Sequence, residues 1–170
     1  MISDILERHR QIVGVFAALM IFWVLLNGTV APDVLALGAV VALLISVAFK
    51  DTLSFFSDFR FTPAAVWATV LYFAYFFKEL VVANLKLSAV VLHPALPIKP
   101  GLVKVRTNLK TPMGRLLLAN SITLTPGTLS VEMDGQWLYV HWVVMETDDV
   151  DEATAKIVRG FERFLEVMYG

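Results

Sequence analysis

Three long apolar runs fill the first half of the 170-residue chain, and they predict membrane helices. Residues 12–26 and 34–49 contain no ionisable side chain, and residues 64–77 contain only two tyrosines. Each run gives roughly 22–24 Å of helix at ~1.5 Å per residue, against a hydrocarbon core of about 30 Å. Neighbouring residues extend the first and third runs, so we predict two to three short membrane helices at about 12–30, 34–49 and 63–92.

The connectors between these runs predict different structures. The first, NGTVAPD, is short and contains no Lys or Arg, so we expect a helical hairpin there. No small-residue cleavage site ends the first run, so we also expect that run to be retained. The second connector, KDTLSFFSDFRFTP, alternates four phenylalanines with polar residues, which is typical of a segment at the membrane surface.

Lys and Arg are distributed unevenly about the apolar runs. Arg8 and Arg10 precede the first run, Lys50 and Arg60 lie in the second connector, and seven more lie between residues 78 and 115. Basic residues favour the cytoplasmic side, so we predict a cytoplasmic C-terminal half. Three full crossings with the N-terminus inside would place that half outside. Either the N-terminus is outside or one run does not fully cross, and the sequence leaves both alternatives open.

The second half of the chain has the patterning of a small soluble domain. A proline-rich linker at 93–101 separates it from the membrane helices of residues 1–92. Residues 102–170 then predict a strand, a helix capped by Thr111, a type II turn at 125–128, a hairpin and a last helix starting at Asp149. This is a cytoplasmic α+β domain of order β-α-β-β-α, with a three-stranded antiparallel sheet and two helices on one face.

The hairpin carries a specific register prediction. A two-residue loop at Asp134-Gly135 is the expected turn, because this dipeptide favours a type I′ hairpin. It pairs aliphatic with aliphatic residues on one face and polar with aromatic residues on the other. The predicted pairs are Met133 with Gln136, Val131 with Leu138, Leu129 with Val140, Glu132 with Trp137, Ser130 with Tyr139 and Thr128 with His141.

Composition supports a membrane protein and removes several function classes. The chain is 58% hydrophobic and 17% charged, whereas soluble domains are closer to half and a quarter. Its net charge of −1 gives no electrostatic reason for a nucleic-acid partner. There are no cysteines, which excludes disulfides, thiolate metal sites and a cysteine nucleophile.

Neither catalysis nor metal binding has a convincing motif. Ser121, Ser130 and His141 lie near one another in sequence, but no G-x-S-x-G nucleophile elbow is present. The histidines His9, His93 and His141 lie in three separate regions. Acidic residues before the last helix are explained by its dipole. We therefore predict no catalytic, cofactor-binding or metal-binding residue.

Ion transport by this chain alone is also disfavoured. Carriers place ionisable groups inside their membrane helices, and the three runs lack Asp, Glu, Lys and His. Lys78 and Glu79 follow the third run, where snorkelling to the interface and contact with another membrane subunit are both open interpretations. Asn27 and Asn84 favour helix–helix hydrogen bonds. Asn120, Thr123, Thr125 and Thr128 are either internally satisfied turn residues or part of a docking surface.

Several of these residues carry a family resemblance. The run NSITLTPGT at 120–128, followed by LYVHW at 138–142, resembles the E subunit of Mrp-type multisubunit cation/proton antiporters. The resemblance extends to FKEL at 77–80, to Ala83-Asn84, to the KPG of the linker and to Phe161-Glu162. It implies family-motif or subunit-contact positions at Lys78, Glu79, Asn84, Asn120, Thr123, Thr125, Pro126, Gly127, Thr128 and His141.

The resemblance implies an accessory, non-catalytic subunit without a cofactor. Its complex would exchange Na⁺ for protons across the cytoplasmic membrane, and the subunit would support assembly and activity. Implied partners are the large complex I-like antiporter subunits, small membrane subunits and the lipid bilayer, with no nucleic acid. Two alternatives stay open: the equivalent subunit of a membrane-bound hydrogenase-like complex, and an independent membrane-anchored binding domain.

Overall fold

The computed structural model describes residues 2–49 and 58–170, with side chains from residue 12 onward. These residues form two compact units, Met1–Phe59 and Arg60–Gly170. The connector at 50–57, most of the segment predicted to lie at the membrane surface, is outside the described residues. The described elements are α1 (Ile2–Asn27), α2 (Pro32–Ala48), α3 (Pro63–Leu92), β1 (Gly101–Arg106), α4 (Pro112–Leu124), β2 (Thr128–Asp134), β3 (Trp137–Trp142), α5 (Val150–Ile157) and α6 (Arg159–Tyr169).

The first unit contains the predicted helical hairpin. Gly28 ends α1 with a φ of +63°, and Pro32 starts α2 in its first turn, where a proline needs no hydrogen-bond acceptor. The indole Nε1 of Trp23 donates to the Val34 carbonyl at 3.0 Å. Small residues at four-residue spacing, Gly38, Ala42 and Ser46, form the buried stripe of α2. The two helices therefore pack closely through small side chains.

The second unit begins with the long helix α3. Its N-cap is Thr62, whose hydroxyl accepts from the Ala65 N–H at 3.1 Å, and Pro63 occupies the first turn. The helix continues to Leu92, as the pattern predicts, and His93 ends it just before Pro94. One face of α3 packs on α6, and its residues Ala65, Ala68 and Tyr72 are buried.

The α+β fold predicted from the pattern is confirmed. The sheet is antiparallel with the order β1-β3-β2, so the hairpin strand β3 is central. One face packs on the helices, with Val103, Val105, Leu138 and Val140 buried. Helix α5 packs against β1, α4 packs against β2, and α6 contacts both helices. Thr111 caps α4 and Asp149 caps α5, as predicted.

The predicted hairpin register is wrong by one position at the loop. Asp134 pairs with Trp137, which leaves Gly135 and Gln136 as the loop. The strand β2 then contains a bulge, because Ser130 pairs with Val140 while Glu132 pairs with Tyr139. The remaining observed pairs are Met133 with Leu138, Leu129 with His141 and Thr128 with Trp142.

The bulge at Val131 changes which residues face the helices. Ser130 shares the buried face with Val140 and donates its hydroxyl to the Ala119 carbonyl at 3.1 Å. Leu129 and Val131 are instead exposed. The predicted grouping of all β2 aliphatics on one face of the hairpin is therefore wrong, since a bulge reverses the alternation that the prediction assumed.

The last predicted helix is divided in two at Val158. Asp149 accepts from the Glu152 N–H at 2.8 Å, which confirms the predicted start. The chain then turns between α5 and α6, beside Gly160. A Cβ at Gly160 would overlap the Tyr75 hydroxyl of α3, so this glycine permits the close approach of α6 to α3.

Candidate functional site

An open groove of about 690 Å³ lies within the second unit. One wall is the C-terminal half of α3 and the other wall is the turn at residues 125–128. The floor is formed by residues of α5 and α6. We call this the α3 groove. Its lining includes Tyr75, Glu79, Ala83, Lys86, Leu87 and Val90 on α3, Thr125, Pro126, Gly127 and Thr128 on the turn, and Trp142, Glu146 and Lys156 from β3 to α5.

The turn wall of the groove is rigid because its polar groups are satisfied internally. Gly127 has a φ of +96°, and the Thr128 N–H donates to the Thr125 carbonyl at 3.3 Å, which confirms the predicted type II turn. The Thr128 hydroxyl donates to the Ile122 carbonyl at 2.6 Å, and that of Thr125 donates to the Ser121 carbonyl at 2.8 Å. Both threonines therefore cap the last carbonyls of α4.

At the α3 wall, Lys78 and Glu79 form an ion pair that the sequence did not predict. The Lys78 Nζ lies 3.1 Å from the Glu79 Oε1 and 5.5 Å from the centre of the Tyr75 ring. Adjacent positions on a helix point about 100° apart, but the length of the lysine side chain brings the two charges together. Glu79 lines the groove while Lys78 is exposed outside it.

A second charge cluster lies at the α5 end of the groove. The Lys156 Nζ lies 2.8 Å from Glu146 Oε2 and 3.0 Å from Glu152 Oε1, the latter one helical turn earlier on α5. The hydrogen bond that Lys156 donates to Glu146, followed by the one to Glu152, raises the pKa of Lys156. A hydrogen bond from Thr147, followed by the one from Lys156, lowers the pKa of Glu152. Both groups stay charged at neutral pH.

The structure brings five of the ten predicted positions together. Glu79, Thr125, Pro126, Gly127 and Thr128 all line the α3 groove, although Glu79 is distant from the turn in sequence.

The other predicted positions lie outside the groove. Lys78 is on its outer rim and Asn120 is exposed on α4. Asn84 donates to the Leu80 carbonyl of its own helix at 2.8 Å, as Asn27 does to the Trp23 carbonyl at 2.9 Å. Thr123 accepts from the Ser130 N–H at 3.1 Å.

The aromatic face of the hairpin is a separate surface. His141, Tyr139 and Trp137 lie on the sheet face that is turned away from the helices, as predicted. The ammonium of Lys104 stands 4.2 Å from the Trp137 ring centre and 5.7 Å from that of Tyr139. This cation–π contact gives the face a fixed positive charge above its aromatic surface.

Sequence reasoning missed two buried polar contacts. The Tyr72 hydroxyl lies 2.5 Å from the Ser121 Oγ, which itself donates to the Leu117 carbonyl, so Tyr72 is the donor. Glu162 is buried and accepts from the Thr107 hydroxyl at 2.5 Å and the Asn108 N–H at 2.6 Å. A signal for Glu162 was available, because it lies on the apolar stripe of the last helix.

The described residues contain no group of three or more His, Asp or Glu side chains placed to hold a metal ion. Among the described residues, α3 alone is a helix of at least 18 residues with the hydropathy typical of a membrane span, while 12–27 and Pro32–Ala48 are shorter apolar helices.

A family model described as MNHE, Na⁺/H⁺ ion antiporter subunit, matches residues 16–167. The chain belongs to this antiporter-subunit family. The match covers both units and therefore includes the hairpin, α3 and the α+β domain.

Two curated members of the family show the extent of the likeness. The chain is 43% identical over 88 residues to the Na(+)/H(+) antiporter E subunit of Alkalihalophilus pseudofirmus, a match that covers 51% of this chain and 56% of that protein. It is 31% identical over 148 residues to the Na(+)/H(+) antiporter E1 subunit of Staphylococcus haemolyticus, covering 83% of this chain and 91% of that protein.

A solved membrane complex contains a chain with the same fold. It is the membrane-bound sulfane sulfur reductase, an archaeal respiratory membrane complex. The TM-score is 0.80 and the identity 33%, over 92% of this chain and 98% of that chain. The family and this structure together place the chain in a membrane.

Proposed function

We propose that this chain is an accessory, non-catalytic subunit of a multisubunit Na⁺/H⁺ antiporter complex in the cytoplasmic membrane. Its partners are large ion-translocating subunits and other small membrane subunits, and it supports their assembly and activity. The α+β domain lies in the cytoplasm, because Lys and Arg are concentrated in that half of the chain. Family membership and the names of the curated relatives support this proposal.

The observation that carries the accessory role is the convergence of Glu79 and the turn at 125–128 on the α3 groove. The groove is open and has apolar walls in Leu87, Val90 and Trp142. Its charged lining residues are Glu79, Lys86, Glu146 and Lys156. The turn hydroxyls are already bonded to α4, so they offer a fixed shape rather than reactive groups. Such a surface suits the docking of a segment from a neighbouring subunit. The aromatic hairpin face is the second proposed contact.

Filling the groove tests this role directly. Ala83→Trp places an indole in the groove without removing a native hydrogen bond, and its matched control is Ala155→Trp on the exposed surface of α5. We expect the Ala83 variant to lose at least about tenfold in co-purification with the large subunits and in antiport by everted vesicles. The Ala155 variant should behave as the wild type. Full assembly of the Ala83 variant would contradict the groove as a contact.

Non-catalytic status has its own test. The purified chain in liposomes should give no Na⁺-driven proton movement, and its deletion should abolish antiport by the otherwise intact operon. Exchange by the chain alone would overturn the accessory assignment.

A second candidate is the equivalent subunit of a membrane-bound oxidoreductase complex. It is favoured by the TM-score of 0.80 to a chain of the sulfane sulfur reductase. Purification through a tagged copy of this chain distinguishes the two complexes. If the chain belongs to an antiporter, we expect the co-purified proteins to contain no iron. Stoichiometric iron with redox subunits in the preparation would favour the oxidoreductase instead.

A further inference from the structure

Helix α3 is long and apolar enough to span a membrane, but the contacts of its two faces argue against a spanning position. It has 30 residues and a mean hydropathy of 1.5 in its most apolar window. At ~1.5 Å per residue its length is about 45 Å, which exceeds a hydrocarbon core of about 30 Å. Length and composition alone, however, do not say what each face contacts.

The inner face of α3 packs on the α+β domain in its first half, where Ala65, Ala68 and Tyr72 are buried, and lines the open α3 groove in its second half. Just before the helix, the Arg60 N–H donates to the Met168 carbonyl of α6 at 2.9 Å. Near its middle, the Tyr75 ring contacts the Phe161 ring at 5.2 Å. Toward its end, Val90 lines the groove opposite the turn. The stretch from Ala65 to Val90, which faces the α+β domain or the groove, is about 38 Å long at ~1.5 Å per residue.

The covering domain is adapted to water. The exposed side chains of α6 include Arg159, Arg163 and Glu166, and the guanidinium of Arg163 lies 5.1 Å from the Tyr75 ring centre. An arginine thus lies beside the midpoint of α3. Each such charge costs about 2.5–3.5 kcal/mol at the bilayer centre on insertion scales. The sheet also has two outer strands, β1 and β2, and hydrocarbon does not accommodate open sheet edges.

The outer face of α3 is exposed and mainly apolar, with Asn84 as a polar residue whose amide donates to the Leu80 carbonyl. Seven large aliphatic and aromatic residues on this side are each more than half exposed: Val66, Trp67, Val70, Phe73, Phe77, Val81 and Leu85. Lys78 is exposed at the edge of this stripe. An apolar face with aromatic residues and a flanking lysine is typical of helices that lie in the membrane interface.

We infer that α3 lies along the membrane surface, with this outer face in the acyl boundary of the lipid, and that the chain crosses the membrane twice, through α1 and α2. Lipid suits this stripe better than another membrane helix does. Helix–helix interfaces in membranes are rich in small residues, such as the Gly38, Ala42 and Ser46 stripe of α2. Large side chains predominate on the outer face of α3 instead.

A double crossing removes the conflict in the distribution of basic residues. The loop at 28–31, which contains no Lys or Arg, lies on one side of the membrane. The other side then holds Arg8, Arg10, Arg60 and the seven Lys and Arg residues between 78 and 115, as the positive-inside rule requires. Helix α2 has 17 residues and so about 25 Å of length, which is at the lower end of what spans a bilayer.

Spin-label depth along α3 tests the inference in the intact complex, reconstituted in lipid nanodiscs. The chain has no natural cysteine, so each single-cysteine variant carries one labelling site on this subunit. Trp67→Cys, Ala74→Cys and Leu85→Cys occupy the exposed side of α3 at similar angles about its axis. Relative collision rates with oxygen and a water-soluble nickel complex give the depth of each label. Leu37→Cys and Leu44→Cys on exposed positions of α2 are the matched controls.

We expect the three α3 labels to share one shallow depth, roughly 5–10 Å below the headgroups. Both α2 labels should be deep, because they lie three and four residues from Val40 at the middle of α2, and so about 4–6 Å from the bilayer centre if the helix crosses. A deepest label at Ala74 with shallow labels at both ends would overturn the inference, since it marks a spanning helix. Labels shielded from oxygen and immobilised would also overturn it, because protein would then cover the face.

The inference rests on the membrane location of the family and not on antiport. Na⁺/H⁺ exchange measured on the same labelled complexes tests the position of α3 and the proposed function separately. A depth profile of a spanning helix in complexes that still exchange ions would contradict only the position of α3.

Discussion

The α1–α2 hairpin and helix α3 both have apolar sequences, but their buried faces have different contacts. In the hairpin, small residues such as Gly38 and Ala42 face inward, and large ones such as Leu25 and Leu44 face outward. In α3, Tyr72 bonds to a serine of a charged domain on the inner side. An apolar run therefore predicts contact with lipid. Whether the helix also crosses the membrane depends on what packs against its other face, another apolar helix or a charged domain.

The largest expected effect is a loss of stability in the α+β domain that leaves the α1–α2 hairpin unchanged. Glu162→Ala removes the acceptor for Thr107 and Asn108 and leaves two donors without their partner. Hydrogen bonds to charged groups contribute about 1.5–3 kcal/mol each, so we expect a loss of about 3 kcal/mol in the unfolding free energy of the α+β domain. Thermal unfolding of the complex in mild detergent measures this. Glu166→Ala, exposed on the same helix, should change little, and equal losses would contradict the role of Glu162.

A change in the hairpin tests its small-residue packing. A Cβ at Gly38 would lie 2.5 Å from the Cδ1 of Trp23, so Gly38→Ala displaces the indole from its bond to Val34. Overpacking costs about 1–3 kcal/mol, partly offset by the better helix propensity of alanine. We expect a lower temperature for loss of the subunit from the complex. Gly14→Ala is the control, because nothing lies within 4 Å of its added Cβ. Equal behaviour of the two variants would refute tight packing at Gly38.

The turn that faces α3 depends on the backbone freedom of Gly127. Its φ of +96° lies outside the left-handed well, whereas Gly135, with a φ of +55°, lies inside it. Neither added Cβ would meet an atom within 4 Å, so the comparison isolates backbone strain. We expect Gly127→Ala to cost about 1–2 kcal/mol of domain stability and Gly135→Ala to cost less. The reverse order in thermal unfolding would count against the type II turn.

Tyr72→Phe asks whether the inner face of α3 contacts protein or lipid. The variant loses the hydrogen bond to Ser121, which contributes about 1 kcal/mol if the pair is buried in protein. Tyr139→Phe, on the outer sheet face, is the matched control and should be near neutral in thermal unfolding. A Tyr72→Phe variant as stable as this control, or more stable than the wild type, would indicate a lipid-facing side chain.

The smallest effect is a pH dependence confined to the water-exposed domain. The pKa of Glu152 is lowered, so its contribution to stability is present above the ordinary value of 4.5 and is lost as the pH falls through the lowered value. The pKa of Lys156 is raised, so its contribution is present below 10.5 and is lost as the pH rises through the raised value. The difference in melting temperature between wild type and Glu152→Gln should be small, constant near neutral pH and absent in strong acid. A difference that grew in acid would contradict this assignment.

Much of the fold followed from pattern, because its signals are local. Thr111 and Asp149 cap their helices, and Gly127 takes positive φ, since each position was constrained by its immediate neighbours. The bulge at Val131 was not predictable, because residue alternation cannot reveal an inserted position. The family resemblance named Glu79 and the turn separately. That they share a groove depends on tertiary packing between distant segments, which no local pattern encodes.

The sidedness of three single cysteines tests the double crossing most directly. Thr29→Cys lies in the loop between α1 and α2, Ser3→Cys near the start of α1, and Asp134→Cys at the end of β2. A membrane-impermeant maleimide applied to intact cells should label Thr29→Cys alone, and applied to inside-out vesicles it should label the other two. Labelling of Ser3→Cys and Asp134→Cys from opposite sides of the membrane would contradict the account, because α3 would then cross.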